Sequence, residues 1–189
     1  MKYAPKPFER LVESLQALPS IGRKSAMRLA YYIVMDKNFS ALQLSHAIED
    51  AIGSVRRCKR CSALSSDELC NICSDPMRDV TKLCFVESAK DIFIFEENGL
   101  FDGNYFVLES IDNLDFSILF NIVEEGVQEV IFALTPSIAN DAVALFIEDK
   151  LQKYDLIFSR IAQGVPTGVS IENVDMLSLS RALHDRVKI

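Results

Sequence analysis

The chain has 189 residues, 49% of them hydrophobic and 25% charged. That composition excludes a disordered or collagen-like polypeptide and leaves room for one large domain or a few small ones. No apolar run approaches the roughly 18 residues that span a bilayer. The start, Met1-Lys2-Tyr3-Ala4-Pro5-Lys6-Pro7, lacks the apolar core of a secretory signal, so a cytoplasmic protein without a membrane partner is expected. The net charge of −7 is unevenly spread. Residues 1–61 hold eleven Lys/Arg against five Asp/Glu, a net +6, and residues 62–189 hold a net −13. A basic first third on an acidic body suggests a polyanion surface confined to one part of the molecule. A dispersed, solvated set of charges is the alternative.

Phe8, Leu11, Val12, Leu15 and Leu18 fall at helical spacing and predict a first amphipathic helix, which Pro19 ends. Ser20-Ile21-Gly22 reads as a tight turn. Ala26, Leu29, Ala30 and Ile33 mark a second helix. A third carries Leu42, Leu44, Ala47, Ile48, Ala51, Ile52 and Val55, with Ser40 as its expected N-cap. Residues 56–79 are polar and Cys-rich, without helical period. Beyond Lys82, short apolar runs at Leu83–Val86, Tyr105–Leu108, Glu129–Leu134 and Leu156–Ile161 read as strands. Helices capped by Asp115 and running from Asn140 lie between them, and Ile92–Phe95 fits either a strand or a helix turn. A last helix fits Leu177, Leu179, Ala182 and Leu183. Strands alternating with helices imply a parallel sheet covered by helices.

Cys58-x2-Cys61 and Cys70-x2-Cys73 are two knuckles separated by eight residues. Each pair can place two sulfurs on one metal, and two pairs complete a thiolate tetrahedron that suits Zn²⁺ and leaves no open position. The site is therefore expected to be structural. An iron–sulfur cluster is the main alternative, and disulfides do not suit a reducing compartment. A stretch as polar as Ser62–Glu68 cannot build its own core, so a metal is expected to hold it. Arg56, Arg57, Lys59 and Arg60 flank the first knuckle and can offset thiolate charge. Cys84, inside an apolar run, reads as a buried small hydrophobe.

The segment from Leu18 to Ala26 joins two amphipathic helices through a glycine-bearing turn. A helix that starts after such a turn presents free backbone N–H groups and the positive end of its dipole. Those groups bind phosphate without reading sequence. Ile21, Gly22, Arg23, Lys24 and Arg28 are the candidate DNA-binding residues, with an ordinary helical hairpin as the bland alternative. Ser20 stands where such hairpins usually carry a first glycine.

Taken in order, the hairpin, the four cysteines, Arg78-Asp79, Leu83–Glu87 with Asp91, and the tail Ser159–Gly168 with Glu172 and Asp175 resemble the bacterial RecR recombination family from about Phe8 to Arg186. The resemblance implies a mixed α/β chain: a helix-hairpin-helix domain (1–55), a four-cysteine zinc module (56–79), a Toprim-like domain with a parallel sheet (80–163) and a C-terminal segment and helix (164–189). It implies one zinc ion per chain, ring-like dimers or tetramers that clamp DNA, and action with RecO, and RecF in many bacteria, to load RecA at gaps and breaks. Two stretches depart from the family. Glu109–Leu114 is short where a glycine-rich loop is usual, and Leu134–Asp141 differs from the usual run.

Toprim enzymes hold Mg²⁺ with a glutamate at a strand end and an Asp-x-Asp pair. Glu87 can be the first carboxylate, but the strand Glu129–Leu134 ends without the pair. Metal-assisted phosphoryl chemistry needs more carboxylates than this, so a non-enzyme is expected, with a Mg²⁺-dependent nuclease or topoisomerase-like enzyme as the alternative. Glu87 and Asp91 are either partner-contacting, residual Toprim residues or ordinary polar groups at a strand end.

Overall fold

The computed structural model describes residues 3–36, 38–109, 114–162, 164–184 and 186. The short loop expected at Glu109–Leu114 lies largely outside them, at residues 110–113. The chain falls into two compact units, Met1–Val55 and Arg56–Ile189.

The first unit holds α1 (Lys6–Gln16), α2 (Arg23–Tyr31), a π-helical turn (Tyr32–Asp36) and α3 (Asn38–Ser54). The apolar stripe of α1 packs Val12 against Ala26 and Ala30 of α2, with Phe8, Leu11, Leu15 and Ile21 around them. Alanines at 26 and 30 are fully buried, which lets the two backbones approach closely. Helix α1 stops earlier than the spacing predicts: Ala17 is its C-cap, and Leu18 lies beyond it, half exposed. Helix α3 starts at Asn38, so Ser40 is inside the helix and not its cap. None of residues 39–54 is buried, although Phe39, Leu42, Leu44, Ile48 and Ile52 are large and apolar.

The second unit begins with a small hairpin, β1 (Arg56–Arg57) antiparallel to β2 (Leu64–Ser65). A four-stranded sheet follows: β3 (Asp79–Val86), β4 (Gly103–Val107), β5 (Glu129–Ala133) and β6 (Ile157–Arg160), all parallel in the order β4-β3-β5-β6. Between them run α4 (Ala89–Glu97), α5 (Phe116–Glu124) and α6 (Ile138–Leu151), with α7 (Met176–His184) last. Strand β3 is central, and its end, Leu83-Cys84-Phe85-Val86, is buried on both faces. That is why it reads as a continuous apolar run and not as an alternation.

The period of two still sorts its side chains. Leu83 and Phe85 join one core with Phe106, Val130, Phe132 and the inner faces of α5 and α6. Cys84 and Val86 join the other with Tyr105, Val107, Ala89 and Ile92 of α4, and Cys58, Cys61, Ala63 and Cys70. The cysteine module therefore occupies the layer where a covering helix would otherwise sit. The expectation that its segment has no core of its own is sharpened: it shares the sheet's. On the opposite face Phe106, Phe85, Phe132 and Phe158 form an aromatic row across all four strands, with centroid spacings of 5.5, 5.6 and 6.3 Å.

The ambiguous Ile92–Phe95 segment is helical. Ser88 and Asp91 form a capping box: the Lys90 N–H donates to Ser88 Oγ at 3.0 Å and the Ser88 N–H to Asp91 Oδ2 at 2.8 Å. Asp115 caps α5 as expected, its carboxylate accepting the Ser117 N–H. Helix α6 starts two residues before Asn140, capped by Ser137.

Gly103 opens β4 opposite an irregularity in β3. A Cβ there would stand 2.7 Å from the Lys82 carbonyl oxygen and 2.5 Å from the Phe101 ring. Gly103→Ala is expected to destabilise the protein by about 2 kcal/mol through overpacking, read from the midpoint of chemical denaturation.

Candidate metal centre and nucleic-acid hairpin

The Cys58 and Cys61 knuckle closes through its backbone. The Cys58 N–H donates to Ala63 O at 2.7 Å and the Ser62 N–H to Cys58 O at 3.0 Å, with Ser62 in the left-handed region at φ 62°. The second knuckle turns likewise, the Ser74 N–H donating to Cys70 O at 3.0 Å. These turns bring the sulfurs of Cys58, Cys61, Cys70 and Cys73 within 4.8 Å of one another. A tetrahedron of sulfurs about 2.3 Å from zinc has edges of about 3.8 Å, so the set fits. The Cys61 and Cys70 sulfurs are 3.5 Å apart. Backbone N–H groups of Cys70 and Cys73 point at the sulfurs of Cys58 and Cys70, at 3.3 and 3.5 Å, and would stabilise thiolates.

The thiols also perturb one another. Hydrogen bonding with Cys61 holds Cys58 well below the usual thiol range, and bonding with Cys58 pushes Cys61 far above it. Four sulfur donors gathered at one point suit a thiophilic dication. All five cysteines are free of disulfides. Cys84 is buried in β3, and burial pushes its thiol up to about 12, consistent with a packing role.

Arg78, just after the second knuckle, ties the module to the sheet. Its guanidinium bonds both carboxylate oxygens of Glu96 and the carbonyls of Phe101 and Gly103, at 3.2 and 3.4 Å. Tyr105 donates to Glu96 at 2.8 Å. The partners are 18 and 9 residues apart in sequence, and no local pattern announces them. Burial opposes ionisation of Glu96, but the hydrogen bonds from Arg78 and Tyr105 outweigh it and hold the carboxyl below its usual range. This stabilisation is present above the ordinary carboxylate value of about 4.3 and is lost as pH falls through the lowered one. Arg78→Ala is expected to cost about 2 kcal/mol at pH 7, a value reduced for partial exposure. Denaturation series should show the gap from wild type narrowing as the pH is lowered below the ordinary carboxylate range.

At the hairpin, the turn is made by Ser20, at φ 65°, and not by Gly22, whose φ is −78°. A left-handed backbone at this position is one that glycine adopts without a Cβ penalty. Gly22 is the N-cap of α2 and offers no side-chain oxygen, and a Cβ at that position would meet nothing within 4 Å. What its bare backbone leaves open is the first turn of α2, where N–H groups lack intrahelical partners. Arg23, Lys24 and Arg28 are exposed on that helix, whereas the Ile21 side chain packs into the hairpin core.

The basic segment divides at the boundary between the units. Residues 1–55 carry seven Lys/Arg and five Asp/Glu, a net +2. The other four basic residues belong to the metal module, where three are ion-paired with carboxylates: Arg57 with Glu109, Lys59 with Glu68 and Arg60 with Glu125.

Glu87 follows the end of β3, beside the loop that leaves β5. Its carboxylate accepts the Thr135 N–H and, at 2.8 Å, the Asn140 side-chain amide. Asp141 is ion-paired with Arg160 at 2.8 Å. Asp91 is engaged in its capping box. Among the described residues, the four cysteines are the only cluster of three or more metal-ligating side chains.

A basic helical hairpin, a four-cysteine module and a Toprim-like parallel sheet in one chain define a zinc-stapled helix-hairpin-helix protein. Two family models match, the helix-hairpin-helix of RecR over residues 8–52 and the four-cysteine zinc finger domain of RecR over residues 55–75. The recombination protein RecR of a Nitratiruptor species is 56% identical over the full length of both chains. That of Helicobacter pylori is 47% identical, covering 96% of this chain and 94% of its own. The Campylobacter jejuni protein is also 47% identical, covering 96% of each. The chain belongs to the RecR family of recombination proteins, and its four-cysteine module takes one structural zinc ion. Among the described residues, no helix is long and apolar enough to cross a membrane.

Proposed function

We propose that this chain is a non-enzymatic DNA-binding mediator of recombination in DNA repair. The observation that carries this reading is the open start of α2, uncapped at Gly22 and flanked by exposed Arg23, Lys24 and Arg28. In this reading residues 1–55 bind DNA through the hairpin, with Ile21 setting the turn from the core and Gly22 exposing the backbone. Cys58, Cys61, Cys70 and Cys73 hold the zinc within residues 56–79. Residues 80–163 form the Toprim-like body and 164–189 the C-terminal segment. The zinc is structural and takes no part in chemistry.

A cytoplasmic homo-oligomer, a ring-like dimer or tetramer, clamps DNA and acts with RecO, and with RecF where present, to promote RecA loading at gaps or breaks. Helix α3 supports self-association, because five large apolar side chains exposed along one helix mark an interaction surface. Glu87 and Asp91 are offered as partner contacts. Glu87 is the better placed, since the Asp91 carboxylate is occupied by its cap. The non-enzymatic reading is supported by the donor set at Glu87, one carboxylate among amides, which suits Mg²⁺ poorly. Duplex binding across a salt series together with solution mass tests the reading. Sequence-independent, salt-sensitive binding by an oligomer is expected, and a monomer with no binding at low salt would overturn it.

A further inference from the structure

The basic side chains of the metal module are not alike. Arg60 makes a bidentate pair with Glu125 and its side chain is only 22% exposed, so it anchors the module to the body. Arg56 and Arg57, which form β1, are exposed. Arg57 and Lys59 have side chains 59% and 67% exposed, paired with Glu109 and Glu68 at 43% and 74%. Arg56 has no ion pair among the described residues. Three cations thus stand within four residues on a segment fixed by the zinc knuckle.

Exposed pairs of this kind contribute little to folding and exchange readily with other anions. Glu109 and Glu68 are ion-paired with Arg57 and Lys59 and so compete with any other anion for these cations. A duplex offers about one phosphate charge per 1.7 Å of axis, a denser anion array than two carboxylates.

We propose that Arg56, Arg57 and Lys59 form a second DNA-backbone contact on the zinc module, masked by Glu109 and Glu68 until phosphates displace them. This rests on the DNA-binding reading above, but uses residues outside the hairpin. The contact reads no sequence, since it is made by long cationic side chains to phosphates alone.

The test uses the full zinc-loaded chain and a fluorescently labelled duplex of mixed sequence, titrated at several salt concentrations, with zinc content and melting temperature checked for each variant. The R56A/R57A/K59A protein is expected to bind more weakly, with a log–log salt slope shallower than wild type by about 2.7. The E68Q/E109Q protein, which keeps all three cations, is expected to bind tighter than D149N/D155N, a control with the same change in charge at two exposed positions on α6 and after it. A triple variant with wild-type slope and affinity, or an E68Q/E109Q protein no tighter than the control, overturns the inference. If the K24A/R28A protein loses slope while the triple variant does not, the hairpin reading survives and this one falls. Wild-type protein that binds no duplex at low salt sinks both.

Discussion

Replacing Cys58 with serine is expected to release the zinc and to lower the melting temperature of the whole second unit. Structural zinc contributes roughly 10–16 kcal/mol to the folding of small zinc domains, as much as the entire net stability of an ordinary protein. If losing one ligand forfeits only about a third of the lower figure, a chain of this size melts about 10 °C earlier. The effect is not confined to the knuckles. Cys58, Cys61 and Cys70 are part of the core that buries Val86, Tyr105 and Val107, so loosening them uncovers one face of the sheet. Chelation of wild-type zinc should reproduce the variant. Zinc content and thermal denaturation check both, and a Cys58→Ser protein with full zinc and an unchanged midpoint would remove Cys58 from the ligand set.

The double substitution Lys24→Ala/Arg28→Ala is expected to weaken duplex binding by about 100-fold, equally for unrelated sequences. Each lost charge-assisted contact is taken as about 1.5 kcal/mol. The slope of log affinity against log salt should become shallower by about 1.8, the value for two phosphate contacts. Neither side chain supports the fold, since both are exposed and the hairpin core is Val12, Ala26 and Ala30. Melting behaviour should therefore stay within about 0.5 kcal/mol of wild type. Fluorescence anisotropy over a salt series measures the binding, and an unchanged affinity would remove the hairpin from the DNA surface.

Much of this molecule can be read from its residues, and the failures have physical causes. The cysteine spacing announces the metal centre because both halves of the ligand set are local. The end of β3 and the Tyr105–Val107 part of β4 are legible because parallel strand segments buried on both faces are apolar throughout. Ile92–Phe95 could not be assigned from its own composition. The decisive signal lay upstream in Ser88 and Asp91, which form the capping box. The Arg78, Glu96 and Tyr105 network was not legible, because it depends on which strand and helix come together. Charge counted along the chain does not show where one unit ends and the next begins. A window ending at Cys61 joined the hairpin's cations to those of the metal module, and the fold assigns them to different units. Position 20 shows the reverse case. A serine that looks like a mild departure from a glycine pattern proves to hold the positive φ on which the turn depends.

The backbone contact between the first knuckle and β4 has a further consequence. The N–H of Val107 donates to the carbonyl of Cys61 at 2.9 Å, so the knuckle lies along the outer strand of the sheet. An outer strand normally offers unpaired amides that can recruit the same strand of another molecule. Here the residues Gly103–Val107 are all buried. Loss of zinc is therefore expected to promote aggregation as well as unfolding. A chain stripped of metal would bare a short, flat, uncharged strand of high β-propensity, Asn104-Tyr105-Phe106-Val107. The first symptom of zinc starvation would then be aggregation through that strand, in molecules whose helical hairpin is still folded.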